Sequence, residues 1–160
     1  MKPRLYIETT IPSYLVARTS RSLRLSADQE STRTWWVVHR HKYDLFVSEA
    51  VLEEAADGDA DFAAKRLAML DGLPRLRITD EVGALVTRFL DEQIIPPAVA
   101  ADAVHLALAV AHRMDLLLTW NCKHLHNPHL ERRIVAVSRD LGYDCPVICT
   151  PAELLKSDEP

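Results

Sequence analysis

The sequence predicts an α/β fold of three layers, α/β/α, in which helices cover both faces of a central parallel sheet of four to five strands. Three observations predict it. Short apolar runs alternate with longer amphipathic stretches along the whole chain. The short runs carry little polar interleaving, as strands buried on both faces do. No repeat, low-complexity tract or linker divides the 160 residues, which suit one domain over 1–160 with a substantial core.

The elements follow in order. RLYIE (4–8) is the first strand, and a helix starts at Thr10 with Pro12 in its first turn, where proline is tolerated. Residues 26–41 read as a helix capped by Ser26. DLFVS (44–48) is the second strand, and EAVLEEA (49–55) is a helix stopping near Asp57–Gly58. Phe62, Ala63, Leu67 and Leu70 stand at helical spacing over 61–70. LPRLRIT (73–79), with its internal Pro74, suits an edge strand. Asp80 caps a helix to about residue 93, with Val82, Leu85, Val86, Phe89 and Leu90 on one face. Residues 98–114 are apolar save for Asp102, His105 and the His112–Arg113 end, so that helix is buried nearly all round. DLLLT (115–119) is a strand, 127–142 a helix ending at Gly142, PVICT (146–150) the last strand, and PAELL (151–155) a closing helical turn.

Composition bounds the function. The 48% hydrophobic and 26% charged content is that of a globular chain, and the net charge of −4 advertises no general basic field. Cys122, Cys145 and Cys149 cannot pair completely and form no zinc-type C-x-x-C, which suits reduced thiols in cytosol. The MKPRLYIETT start lacks a signal peptide's apolar stretch, and no run approaches the roughly 18 apolar residues of a membrane span. A cytoplasmic, soluble protein is the expectation.

Ligands of an open parallel sheet bind beyond the carboxyl ends of its strands. Glu8 closes the first strand there, Ser48–Glu49 the second, and Thr119 the DLLLT strand with Asn121 just beyond. Glu53 and Glu54 follow on the next helix, and Asp102 lies in the apolar one, where an ionised carboxylate needs compensation. Each has a plain alternative: a hydrated strand end for Glu8, a solvated helix face for Glu53 and Glu54, a first-turn acid for Asp102, a turn residue for Asn121. Together they resemble an oxygen ligand set for a hard divalent cation, which would relieve their mutual repulsion. No H-E-x-x-H, P-loop or G-x-G-x-x-G occurs, which disfavours zinc and nucleotide cofactors.

Four segments carry a resemblance. YIETTIPSYL (6–15) resembles the opening strand of PIN domains, and VSEAVLEEA (47–55) their Ser-x-x-[Thr/Val]-x-x-Glu segment, whose glutamate falls on Glu54. AADAVHLALA (100–109) is similar to the helix bearing their third acid, which falls on Asp102. LLLTWNCKHL (116–125) resembles the strand ending in Thr-x-[Asp/Asn], whose fourth position is Asn121. In detail the chain resembles VapC-like toxins of type II toxin–antitoxin pairs, in the branch with Glu as first acid and T-W-N as fourth motif.

That resemblance implies a Mg²⁺- or Mn²⁺-dependent ribonuclease, usually a homodimer, inhibited by a cognate antitoxin. Glu8, Glu54, Asp102 and Asn121 would hold the metal and carry catalysis on an RNA substrate. Glu8 stands where Asp is commoner, one methylene longer, and Asn121 replaces an acid with a neutral amide. Thr9, Thr10 and Thr119 would support the acids or meet phosphate, against ordinary capping and strand-end roles. Lys123 and His124 would meet substrate phosphate, against solvated loop positions. Glu49 and Glu53 remain reserve ligands, and His105 reads as a hydrogen-bonded interior histidine rather than a base. Arg18, Arg21, Arg24 and Arg33 would form a basic rim, and the Trp35–Val38 patch would be buried or serve contact with a partner. The rival readings are a catalytically impaired binding module, for which Asn121 argues, and a small-molecule phosphohydrolase, against which the missing D-x-D argues.

Overall fold

Five strands, β1 (Arg4–Ile7), β2 (Asp44–Ser48), β3 (Arg75–Leu76), β4 (Leu116–Leu118) and β5 (Val147–Cys149), form one sheet in the order β3-β2-β1-β4-β5. Every neighbouring pair is parallel, with Leu5 opposite both Leu45 and Leu116. This computed structural model describes residues 1–157; positions 158–160 of the expected 1–160 domain lie outside the described residues. The central strand is β1, whose Leu5, Tyr6 and Ile7 are wholly buried. The proline-containing 73–79 run does supply an edge strand, reduced to two paired residues because Pro74 has no N–H to donate.

Among the described residues eight α-helices flank the sheet: α1 (Thr10–Val16), α2 (Leu23–Thr34), α3 (Glu49–Ala55), α4 (Ala60–Leu70), α5 (Asp80–Asp91), α6 (Ala100–Ala111), α7 (Pro128–Asp140) and α8 (Pro151–Lys156). α1 packs with α2 and α4, and α2 with α8; α6 packs with α3 and α5, and α5 with α7, while α3 also packs on α4. In α6 Ala103 and the six residues from His105 to Val110 are buried, which answers to its nearly unbroken apolar sequence. The three-layer α/β/α fold is thus the one expected.

Several boundaries differ from the sequence reading, each for a local reason. Ser22, extended at φ −70° and ψ 124°, accepts from the Leu25 amide and starts α2, so Ser26 falls inside the helix instead of capping it. Past Thr34 the chain widens into a π-type turn over Trp35–His39 and a 3₁₀ turn over Arg40–Lys42. The wide turn changes the angle between successive side chains, and both Trp35 and Trp36 are buried while Val37 and Val38 are exposed. Thr79, not Asp80, caps α5 by accepting from the Val82 amide, and Asp80 is its first helical residue. A 3₁₀ turn at Pro97–Val99 delays α6 to Ala100. At α7 the expected glycine stop holds, with Gly142 at φ +86° where a side chain would be strained.

Among the described residues no helix is long and apolar enough to cross a membrane. All three cysteines are free thiols, and burial pushes Cys149 up to about 12 and Cys145 to about 11.

Leu117 sits in the interior of the sheet with no exposed surface, whereas Val147 begins edge strand β5 and is 63% exposed. Leu117→Ala should therefore cost about 2–5 kcal/mol in urea unfolding. Val147→Thr should change stability by no more than about 0.5 kcal/mol. Equal losses would contradict the assignment of centre and edge.

Candidate active site

The carboxyl ends of β1, β2 and β4 meet at one edge of the sheet, and the ladder runs one residue past the strands. The Glu8 amide donates to the Leu118 carbonyl (3.1 Å), and the Thr119 amide to the Cys149 carbonyl (3.0 Å). Glu8 is only 4% exposed, and a carboxylate so buried needs donors. It has three on one oxygen: Oε1 accepts from the Thr10 amide (3.1 Å), the Thr10 hydroxyl (2.5 Å) and the Thr119 hydroxyl (2.7 Å). The first of these satisfies an amide in the first turn of α1, since Thr9, at the cap position, makes no side-chain cap bond.

The two hydroxyls pass the constraint on. Thr10 Oγ1 accepts from the Trp120 amide (2.9 Å), and Thr119 Oγ1 from the Asn121 amide (2.9 Å). Residues 119–121 are therefore pinned to Glu8. Asn121 is half-buried, its Oδ1 accepting from the His124 amide (3.0 Å) while its carbonyl accepts from the Leu125 and His126 amides. That is the geometry of a turn residue, with one amide-oxygen lone pair still free. Lys123 is exposed and His124 half-buried. Neither side chain makes a hydrogen bond among the described residues.

Glu54 is compensated differently. Its Oε1 accepts from the Thr9 hydroxyl (2.8 Å) and pairs with Nε2 of His105, which is wholly buried. His105 Nδ1 bonds the Tyr6 hydroxyl (2.8 Å), which bonds Ser48 Oγ (2.8 Å), itself the cap of α3. With the imidazole protonated the directions are consistent: both ring nitrogens donate, and Tyr6 passes its own proton to Ser48. Burial opposes the charge on His105. The bond to Glu54 and the charges of Glu54, Glu8 and Asp102 outweigh it and raise its pKa above the ordinary 6.5. Burial likewise works against ionised Glu54, yet His105 and Thr9 bring its pKa below 4.5. Burial holds the Tyr6 hydroxyl well above its usual range.

Asp102 is half-buried in the first turn of α6, where the helix dipole favours an acid. Its carboxylate makes no hydrogen bond among the described residues. Its charge acts on His105, one turn on, so Glu8, Glu54 and Asp102 all lie within electrostatic reach of that one imidazole. Of the reserve acids, Glu49 points outward in an ion pair with Arg75 (2.9 Å), and Glu53 is exposed. The interior-histidine reading of His105 describes its surroundings well. Sequence reasoning did not find its partners: a tyrosine in an apolar strand and a histidine in an apolar helix each signal a buried polar atom that needs one.

The donors suit a hard cation in type, being carboxylate and amide oxygens without a thiolate. Glu8 has a second oxygen outside its three bonds, and the Asp102 carboxylate is uncommitted. Among the described residues no group of three or more His, Cys, Asp or Glu side chains is arranged to hold a metal. Glu54 also keeps Oε2 outside its bonds, but its charge is already paired with His105. Mg²⁺ usually takes one or two carboxylates with waters and substrate phosphate, and Glu8 and Asp102, which no cation balances, suit it in donor type.

The His105–Glu54 pair has a pH signature. Because the histidine's pKa is raised on folding, its stabilisation is full below 6.5 and is lost as pH rises through the folded value. Glu54's pKa is depressed, so its stabilisation is present above 4.5 and is lost as pH falls through the folded value. The pair should therefore stabilise most between those limits. An NMR titration should place His105 above 6.5, and Glu54→Gln should lower it; a wild-type value at or below 6.5 would contradict the pairing.

No protein-family model and no curated protein sequence matches this chain. Among solved structures it is similar to a chain of VapBC2 from Rickettsia felis, solved bound to a DNA fragment from their promoter. The TM-score is 0.58 at 15% identity, covering 91% of this chain and 97% of that one. Identity that low speaks for the fold alone, and the fold shared is the α/β architecture with a central parallel sheet that the sequence predicts.

Proposed function

We propose that this protein is a divalent-metal-dependent endoribonuclease, the toxin of a type II toxin–antitoxin pair. The observation that carries the proposal is Glu8: a buried carboxylate at the carboxyl edge of the central strand, locked through one oxygen with the other left over. Glu8 and Asp102 would hold a Mg²⁺ or Mn²⁺ ion, with the Asn121 amide oxygen orienting a water beside it. Such an ion would stabilise charge on the scissile phosphate and lower the pKa of a bound water.

The chain's own residues supply the positioning. Thr10 and Thr119 fix the Glu8 carboxylate, and Thr9 and His105 fix the Glu54 carboxylate. Lys123 and His124, on the turn after Asn121, would meet substrate phosphate. The similarity to a chain of a VapBC2 structure supports an antitoxin protein as partner, and the VapC resemblance supports a homodimer.

A second reading, a catalytically impaired PIN-like module that docks RNA or protein, has its own observations: Glu54 is occupied by His105, and Asn121 is engaged in its turn. One assay separates the two. The purified protein should cleave single-stranded RNA in Mn²⁺, and Asp102→Asn and Glu8→Gln should each lower the rate by more than about a hundredfold, the upper end for residues that only support a metal ligand. Absence of cleavage by the wild type would leave the docking module, whereas full activity in both variants would overturn Glu8 and Asp102 as the metal-holding acids.

A further inference from the structure

Beside this edge lies a feature that the metal chemistry does not use. The rings of Tyr14, on α1, and Trp120, directly after Thr119, are stacked, with centroids 5.5 Å apart and planes 10° from parallel. Both are half-buried, and among the described residues neither ring has a second aromatic partner. They line an open recess of about 350 Å³ together with Ser22, Arg24, Leu25 and Asp28 at the start of α2 and with Cys122.

Three things set the recess apart from an ordinary surface dip. First, the stack is held rigidly: the Trp120 indole N–H donates to the Thr32 hydroxyl (2.8 Å), and its amide to Thr10 Oγ1, which binds Glu8. The aromatic wall is therefore two hydrogen bonds from the Glu8 carboxylate. Secondly, Arg24 and Asp28 share a helix face at i, i+4 yet form no ion pair, and neither side chain makes a hydrogen bond among the described residues. Thirdly, that unpaired set matches a nucleotide: a flat π face for a base, a guanidinium for phosphate, and a carboxylate to accept a base N–H.

We propose that the recess between the Tyr14–Trp120 stack and Arg24–Asp28 is a subsite for one unpaired nucleobase of single-stranded RNA, with the adjoining phosphate on Arg24. The base stacks on the aromatic pair, and Asp28 accepts from its edge. Base-paired RNA keeps its bases inside the helix and cannot fill the recess, so the subsite selects single-stranded segments. This deepens the nuclease reading and rests on it for the choice of RNA, but its test is independent of cleavage.

The test is a fluorescence titration of the full-length protein in EDTA and low salt with a mixed-sequence RNA octamer. Trp35 and Trp36 are buried, so Trp120 is the indole placed to report. The octamer should quench the emission, while a base-free ribose-phosphate oligomer and a blunt RNA duplex should not. Tyr14→Leu should weaken binding by about five- to a hundredfold, the range for loss of one stacked base. Tyr14→Phe, which keeps the ring, should bind as the wild type does. Arg24→Gln, at an exposed position, should weaken binding and flatten its salt dependence whether or not Tyr14→Leu folds. Unchanged emission or equal binding of the base-free oligomer would overturn the subsite. Quenching without cleavage in Mn²⁺ would keep the subsite and remove the nuclease.

Discussion

The arrangement of this sheet edge depends on how one buried carboxylate is compensated. Glu8 ends the central strand at 4% exposure, where an uncompensated charge would cost several kcal/mol. Its donors come from two chain segments far apart in sequence, Thr10 at the head of α1 and Thr119 at the end of β4. Each donor hydroxyl then accepts an amide of the 120–121 turn. Removing the carboxylate would thus release the start of α1, the end of β4 and the turn bearing Trp120 and Asn121 together. The extra methylene of Glu relative to Asp lengthens the reach from β1 to those hydroxyls.

The second acid follows a different rule. Glu54 leans on a wholly buried imidazole, and that imidazole is tied through Tyr6 to the cap of α3, the helix that carries Glu54 itself. The loop of contacts β1–α6–α3 closes on itself, so the position of Glu54 is set by packing between elements and not by its own rotamer alone. Glu8, held by neutral donors, and Asp102, with an uncommitted carboxylate, are the acids whose charge no cation yet balances, while Glu54 keeps only Oε2 outside its bonds. One edge thereby combines a fixed charge, a spare pair of oxygen donors and, next to them, an aromatic wall.

Much of this was legible in the chain. Apolar runs such as Leu5–Ile7 and Leu116–Leu118 announced parallel strands because both faces are buried, and Gly142 announced the end of α7 because its positive φ suits the turn. The resemblance to a Ser-x-x-[Thr/Val]-x-x-Glu segment favoured Glu54 while leaving Glu49 and Glu53 in reserve, and Glu54 is the one that pairs with the buried His105. What the chain concealed were long-range pairings. Periodicity marks Tyr6 and His105 as buried but does not say that they touch, and nothing local brings Tyr14 against Trp120. Cap positions slipped where several hydroxyls compete: Ser22 and Ser26 are both good caps, and the backbone entry angle chose the first. The buried Trp35–Trp36 pair needed a π-type turn, which sequence periodicity of 3.6 does not anticipate.

The central claim is that Glu8 and Asp102 together offer a site for one hard divalent cation. Its most direct measurement is Mn²⁺ binding followed by electron paramagnetic resonance on the wild type and on the Glu8→Gln and Asp102→Asn proteins, each shown to be folded. The account predicts a saturable site in the wild type that either substitution weakens by more than about tenfold, the loss expected even for a residue that only supports a ligand. A wild type that binds no Mn²⁺, or variants that bind it as tightly as the wild type, would contradict it.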